Sequence, residues 1–221
     1  MKPRFFHQRN RALTLVEVLV VIVVLVVFAA MLLPALPDDR IPAASIQCVN
    51  NLKQIGLAYR IWEGDHNGKY PMQVSITDTN GGGTMGLASG RNAWINFAVM
   101  SNELSTPKIL WCPTDTGRTS ATNFTGDFNN SKISYFVNLD ADESDPQMFL
   151  SGDDNFAIAG VPVRNGLLEI STNVPISWTA ARHKSRGNIG RADGSVQHMT
   201  QNGLRQAVQQ LGPATNHLAI P

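Results

Sequence analysis

The chain has 221 residues, 43% hydrophobic and 16% charged, with a formal net charge of +1 and two cysteines. That is enough for one folded domain plus an appendage, and too few cysteines for a disulfide-rich scaffold or a Cys-only tetrahedral zinc site. Lys2, Arg4, Arg9 and Arg11 stand at the start without an acid among them, which leaves the remainder mildly acidic, a balance that does not suit nucleic-acid binding.

From Leu13 to Leu33 the sequence reads LTLVEVLVVIVVLVVFAAMLL, with Glu17 as its one charge. As a helix this run is about 31 Å long, close to the hydrocarbon thickness of a bilayer. A helix also pairs its own backbone groups in lipid, which an isolated strand cannot. The pattern predicts a transmembrane helix over 13–36. Its N-terminus is cytoplasmic, since bases precede the run and Asp38 and Asp39 follow it. A cleaved secretory signal and an unprocessed anchor compete with this reading. The uninterrupted apolar stretch from Val18 to Leu33 is long for a signal peptide. Glu17 is explained by neither, because an ionised carboxylate there costs a few kcal/mol unless it is paired or snorkels to the interface.

The segment Arg11-Ala12-Leu13-Thr14-Leu15-Val16-Glu17-Val18-Leu19 resembles the N-terminal motif of type IV prepilins and type II secretion pseudopilins. The resemblance implies a basic leader, residues 1–12, cut by a prepilin peptidase between Ala12 and Leu13. It implies methylation of the new N-terminus at Leu13 and an assembly role for Glu17, the fifth residue of the mature chain. At the cut the family usually has Gly and Phe, where this chain has Ala12 and Leu13. Pro34 falls where pilins often carry a helix-kinking proline. Physically, the Glu17 carboxylate can pair with the N-terminal ammonium of a neighbouring subunit, which turns a costly charge into an assembly contact.

Pro34, Pro37 and Pro42 mark a kink or break. An amphipathic helix is then predicted within 37–66, its stripe formed by Ile46, Val49, Leu52, Ile55, Tyr59 and Trp62. Asn50, Asn51, Lys53 and Gln54 lie off that stripe, and Gly64 with residues 65–68 ends it. Residues 67–221 form the head. Asn80-Gly81-Gly82-Gly83 is a loop, and 93–99 is either a short helix or a strand. Strands are predicted at 108–113, 134–139, 157–163 and 174–179. A hairpin over about 187–199 turns at Asp193-Gly194, a pair suited to a type I′ turn. The stretch Cys48 to Ala58, together with His183 nine residues before Asp193-Gly194, resembles a group of pilin-like proteins with a C-terminal H-x9-DG motif. The fold class is α+β and pilin-like, a long N-terminal helix packed on a small antiparallel sheet.

Cys48 and Cys112 form either a disulfide or two buried free thiols, and the extracytoplasmic side favours the bridge. Asp140, Asp142 and Asp145, in an acidic region that also holds Glu143, Asp153 and Asp154, are calcium candidates or simply solvated acids. Ser195, His183 and Asp193 have the residue types of a hydrolytic triad, but no nucleophile elbow precedes Ser195, and the chain is read as a non-enzyme. The reading is a structural subunit of the bacterial inner membrane, single-pass with its head outside, which joins a pseudopilus or pilus-like fibre. Its partners are the prepilin peptidase, other pilin or pseudopilin subunits and the inner-membrane platform of the secretion system. The alternative is a membrane-anchored envelope binding module that does not polymerise, with Trp94, Trp111 or Trp178 exposed in a sugar-binding groove.

Overall fold

A computed structural model describes residues 14–32, 43–79, 81–87, 92–212 and 214–221. The leader, the Ala12–Leu13 bond, Pro34 and Asn80 lie outside the described residues. The chain divides into two units, Met1–Arg40 and Ile41–Pro221.

The first unit holds helix α1 (Leu15–Leu32). Every large apolar side chain from Leu15 to Phe28 is exposed, from 46% at Val24 to 80% at Leu15. Among the described residues no helix is long and apolar enough to cross a membrane. The 18 residues of α1 rise about 27 Å, while the ends of the apolar run, Leu13 and Leu33, lie outside the described residues.

The second unit contains α2 (Ala43–Asp65), α3 (Ala93–Val99), α4 (Ser101–Leu104), β1 (Tyr135–Asn138), β2 (Phe149–Asp153), β3 (Phe156–Ile158), β4 (Val161–Pro162), β5 (Gly166–Ile170), β6 (Ile176–Trp178), β7 (Gly187–Arg191), β8 (Val196–Met199), α5 (Gln201–Gln210) and β9 (Asn216–Ile220). Six strands form an antiparallel sheet in the order β5-β9-β1-β2-β7-β8, and β4-β3-β6 form a second, smaller one.

Side-chain alternation along the strands supplies both faces of the large sheet. Tyr135 and Val137 of β1 and Leu150 of β2 join Cys48, Leu52, Ile55, Tyr59 and Trp62 of α2 in one core cluster. Phe136, Phe149 and Ile189 point the other way, into a cluster with Leu204, Ala207 and Val208 of α5 and with Phe156, Ile176 and Trp178 of the small sheet. The head is therefore layered: α2, then the large sheet, then α5 with the small sheet.

Several expectations are corrected. Residues 108–113 do not form a strand. Pro107–Leu110 is a 3-10 helix, because Pro107 presets the first turn and the Thr106 hydroxyl accepts from the Lys108 N–H at 3.4 Å. The strand expected at 157–163 is a hairpin, β3 and β4, folded over Ala159 and Gly160, both at positive φ (49° and 82°). The hairpin at 187–199 forms, but its turn is not type I′. Only Gly194 has positive φ (81°), and its N–H donates to the Arg191 carbonyl at 2.9 Å, which leaves Ala192 and Asp193 as ordinary turn residues. The buried face of α2 is also rotated from the expected stripe. Ile46 is 50% exposed, whereas Asn51 is buried and donates to the Trp111 carbonyl at 3.0 Å.

Gly187 has a packing reason. A Cβ there would lie 2.4 Å from the Trp178 ring, which is also stacked on Phe156 with centroids 4.8 Å apart. Gly187→Ala is expected to cost about 1–3 kcal/mol of head stability in urea unfolding, since the ring it would meet is buried and already stacked on Phe156.

Candidate functional site

Two places carry the residues that the sequence marks out, the start of α1 and a buried polar network in the head. At the start of α1, Thr14 precedes the helix and Glu17 is its third residue, the spacing of a capping box. The Glu17 carboxylate takes the Thr14 N–H at 2.8 Å and the Thr14 hydroxyl at 3.0 Å, both on Oε2. The Thr14 hydroxyl in turn accepts from the Glu17 N–H at 3.4 Å. Glu17 thus has a partner within its own chain. Oε1 takes no part in these bonds, so the carboxylate keeps acceptor capacity for a second group.

In the head, Cys48 and Cys112 form a disulfide with Cα atoms 5.3 Å apart, tying α2 to the segment that follows the 3-10 helix. The crosslink closes 64 residues, a constraint on the unfolded chain of about 4 kcal/mol. His183 lies against it, with Nε2 3.3 Å from the Cys112 sulfur, 3.2 Å from Thr114 Oγ1 and 3.2 Å from Asp153 Oδ2. Asp153 ends β2, is fully buried, and accepts from the backbone N–H and side-chain amide of Asn188 at 2.7 and 2.8 Å. Asn188 Oδ1 meets His198 Nδ1 at 2.9 Å.

Beside this chain of bonds stands a group of four charges. Arg118 pairs with Asp115 at 3.3 Å and Asp154 at 2.6 Å, and Arg182 reaches the same two carboxylates. Desolvation lowers the affinity of Arg118 and Arg182 for their protons, and the facing carboxylates offset it. His183, Lys184 and Ser185 are all left-handed, with φ of 52°, 54° and 62°. Such residues cost roughly 1–2 kcal/mol each, so the bonds of Arg182 and His183 hold a strained turn in place.

Asp153 and Asp154 are thus buried partners of His183 and the two arginines, not solvated loop acids. The sequence signal that was available is their position between the apolar residues Phe149-Leu150 and Phe156-Ala157, at the junction of two strands. The H-x9-DG motif is divided between two locations. His183 sits on the disulfide, whereas the Asp193-Gly194 turn rests on α2, its Gly194 Cα 3.7 Å from the position of a Gly56 Cβ and its own Cβ position 3.6 Å from Arg60 Nε. Asp193 accepts the Ser195 N–H at 2.8 Å, and the contacts of His183 go to neither residue, so the triad is not assembled.

The calcium candidates do not converge. Asp140 holds the His217 N–H and ring, Asp142 holds Ser144 and Gln73, and Asp145 holds the Gln147 N–H. Among the described residues the one group of three metal-type side chains is Cys48, Cys112 and His183, whose sulfurs are bonded to each other. Trp178 is buried, Trp94 packs edge-on to Phe128, and Trp111 donates to the Asp115 and Arg118 carbonyls. These three do not make an open aromatic groove.

Residues 7–33 match the family model of the prokaryotic N-terminal methylation motif. The matched segment holds Ala12, Leu13 and Glu17, and it supports a type IV pilin-like or pseudopilin family and a prepilin-like substrate of a prepilin peptidase. The methylation motif marks structural subunits that are generally not enzymes. No curated protein and no solved structure matches the chain.

Burial disfavours the charged form of His198, with His183 and Arg186 adding to the effect, so its pKa lies below the usual value of 6.5. The unfolded chain then binds the proton more readily, and the contribution of His198 is full above about pH 6.5 and lost as pH falls below it. Urea midpoints measured between about pH 7 and pH 5 are expected to fall less in His198→Gln than in the parent chain.

Proposed function

We propose that the chain is a structural pilin-like subunit, cleaved by prepilin peptidase between Ala12 and Leu13, methylated at Leu13, and assembled into a type II secretion pseudopilus or a type IV pilus-like fibre. The observation that carries this is the conjunction of the matched methylation motif with an α1 that is apolar on every side and capped by Glu17. Residues 13–36 sit in the inner membrane before assembly, with the leader cytoplasmic and the head outside. Cleavage at Leu13 leaves a new ammonium one residue before Thr14. The free Oε1 of Glu17 then accepts the ammonium of the next subunit while Oε2 keeps its own helix start closed.

The head is the part presented to secretin, cargo or solvent. His183 and the Asp193-Gly194 turn serve it as packing devices, one holding the disulfide region and the other seating the β7–β8 hairpin on Gly56 of α2. On this reading the H-x9-DG motif is structural.

Intact mass and N-terminal sequencing of the protein purified from membranes that contain prepilin peptidase test the proposal. The expected product begins at Leu13 and carries one extra methyl group. A chain that still begins at Met1, or one cut beyond Leu33 with the helix removed, contradicts it.

A further inference from the structure

The slot between α5 and the β7–β8 hairpin holds a buried cation with no acid in its walls. Its volume is about 460 Å³, within the range of small-molecule sites. One wall is a stripe of α5, Gly203, Gln206, Ala207 and Gln210, spaced three and four apart. The other is Arg191 at the end of β7, flanked by Gln147 and Gln197. Arg191 is only 6% exposed. Its guanidinium donates to the amide oxygens of Gln147 and, at 3.2 Å, Gln197, and its Nε has no hydrogen-bond partner.

Buried arginines are normally matched by carboxylates, as Arg182 is in this same chain. Arg191 is held by neutral amides instead. Asp193 is near enough to feel it, but that carboxylate is committed to the Ser195 N–H and does not line the slot. The first turn of α5, capped by Thr200, borders the slot and adds a partial charge of the same sign.

We propose that this slot binds the carboxylate of a hydroxyl-rich acid, a uronic-acid sugar being the class that fits. A planar carboxylate matches the guanidinium fork, and a charged acceptor there is stronger than the two neutral amides it replaces. The glutamine amides, each both donor and acceptor, then serve ring hydroxyls. His198 also lines the slot, but burial disfavours its charged form, so at neutral pH Arg191 is the one cation there and suits a singly charged ligand. The inference stands independently of filament assembly.

The test is titration of the full chain in detergent micelles with galacturonate, galactose and sulfate, followed by calorimetry and thermal midpoint. Galacturonate is expected to bind saturably and raise the midpoint, and galactose to do neither. Arg191→Gln is expected to abolish binding. Because that variant removes a buried group, Gln206→Glu combined with Gln210→Glu provides the second arm. Both positions are exposed on α5, so the fold is retained, and the two added carboxylates are expected to weaken galacturonate by about tenfold or more. Equal binding of galactose, sulfate binding as tight as galacturonate, unchanged affinity in the double variant, or no saturation by about 10 mM would each overturn the proposal.

Discussion

A helix that is apolar on every side cannot remain in water, and that constraint governs how this chain is used. Thirteen large apolar side chains of α1 are exposed. Covering them is worth on the order of 10 kcal/mol, even counting each at less than its full burial value. This far exceeds what one ion pair supplies, so the apolar surface decides whether the segment stays in water. It does not decide between lipid and a second copy, because lipid tails are as apolar as the neighbouring helix. That choice falls to the one charged group of the run. Glu17 closes its own helix start through Thr14 on one carboxylate oxygen. In the proposed assembly its second oxygen, by taking the ammonium of a neighbouring subunit, would set the axial position.

The head meets a different requirement, the rigid support of a sheet covered on both faces. Its two clusters are fed by alternate residues of the same strands, and the disulfide pins α2 across one face. The buried charges beside the disulfide act within this frame. Removing either arginine would leave Asp115 and Asp154 buried without their full complement of cations, which is why the network reads as a structural device and not as catalytic machinery. The left-handed turn at His183 to Ser185 is held by the bonds of Arg182 and His183, so the histidine of the C-terminal motif has a mechanical reason to be there.

What the sequence made legible follows from which signals are local. The apolar run from Leu13, its lone acid, the end of the head helix at Gly64 and Asp65 and the Asp193-Gly194 turn all declare themselves within a few residues. The capping box was equally local, yet Glu17 read as a charge seeking a distant partner conceals its bond to Thr14 three residues away. Strands β5 and β9 escaped because they pair with each other across a long stretch of chain, and β2 escaped because the buried Ser151 and Asp153 interrupt its apolar pattern. The amphipathic helix α5 went unread: Leu204, Ala207, Val208 and the Thr200 cap mark it, but the glutamines between them dilute the apolar stripe. Asp153 and Asp154 looked solvated since their partners, Asn188, His183, Arg118 and Arg182, are supplied by other elements. Arg191 was hidden for the same reason, as nothing nearby in sequence shows that it is buried.

The most direct measurement of the central claim is photocrosslinking from a reactive residue placed at Ile22, in membranes that contain the processed chain and its assembly partners. If α1 is covered by lipid and then by copies of itself, adducts form to lipid and to residues 13–33 of a second chain. Adducts confined to residues 41–221 of the same chain would show that α1 is covered by its own head, and would contradict the account.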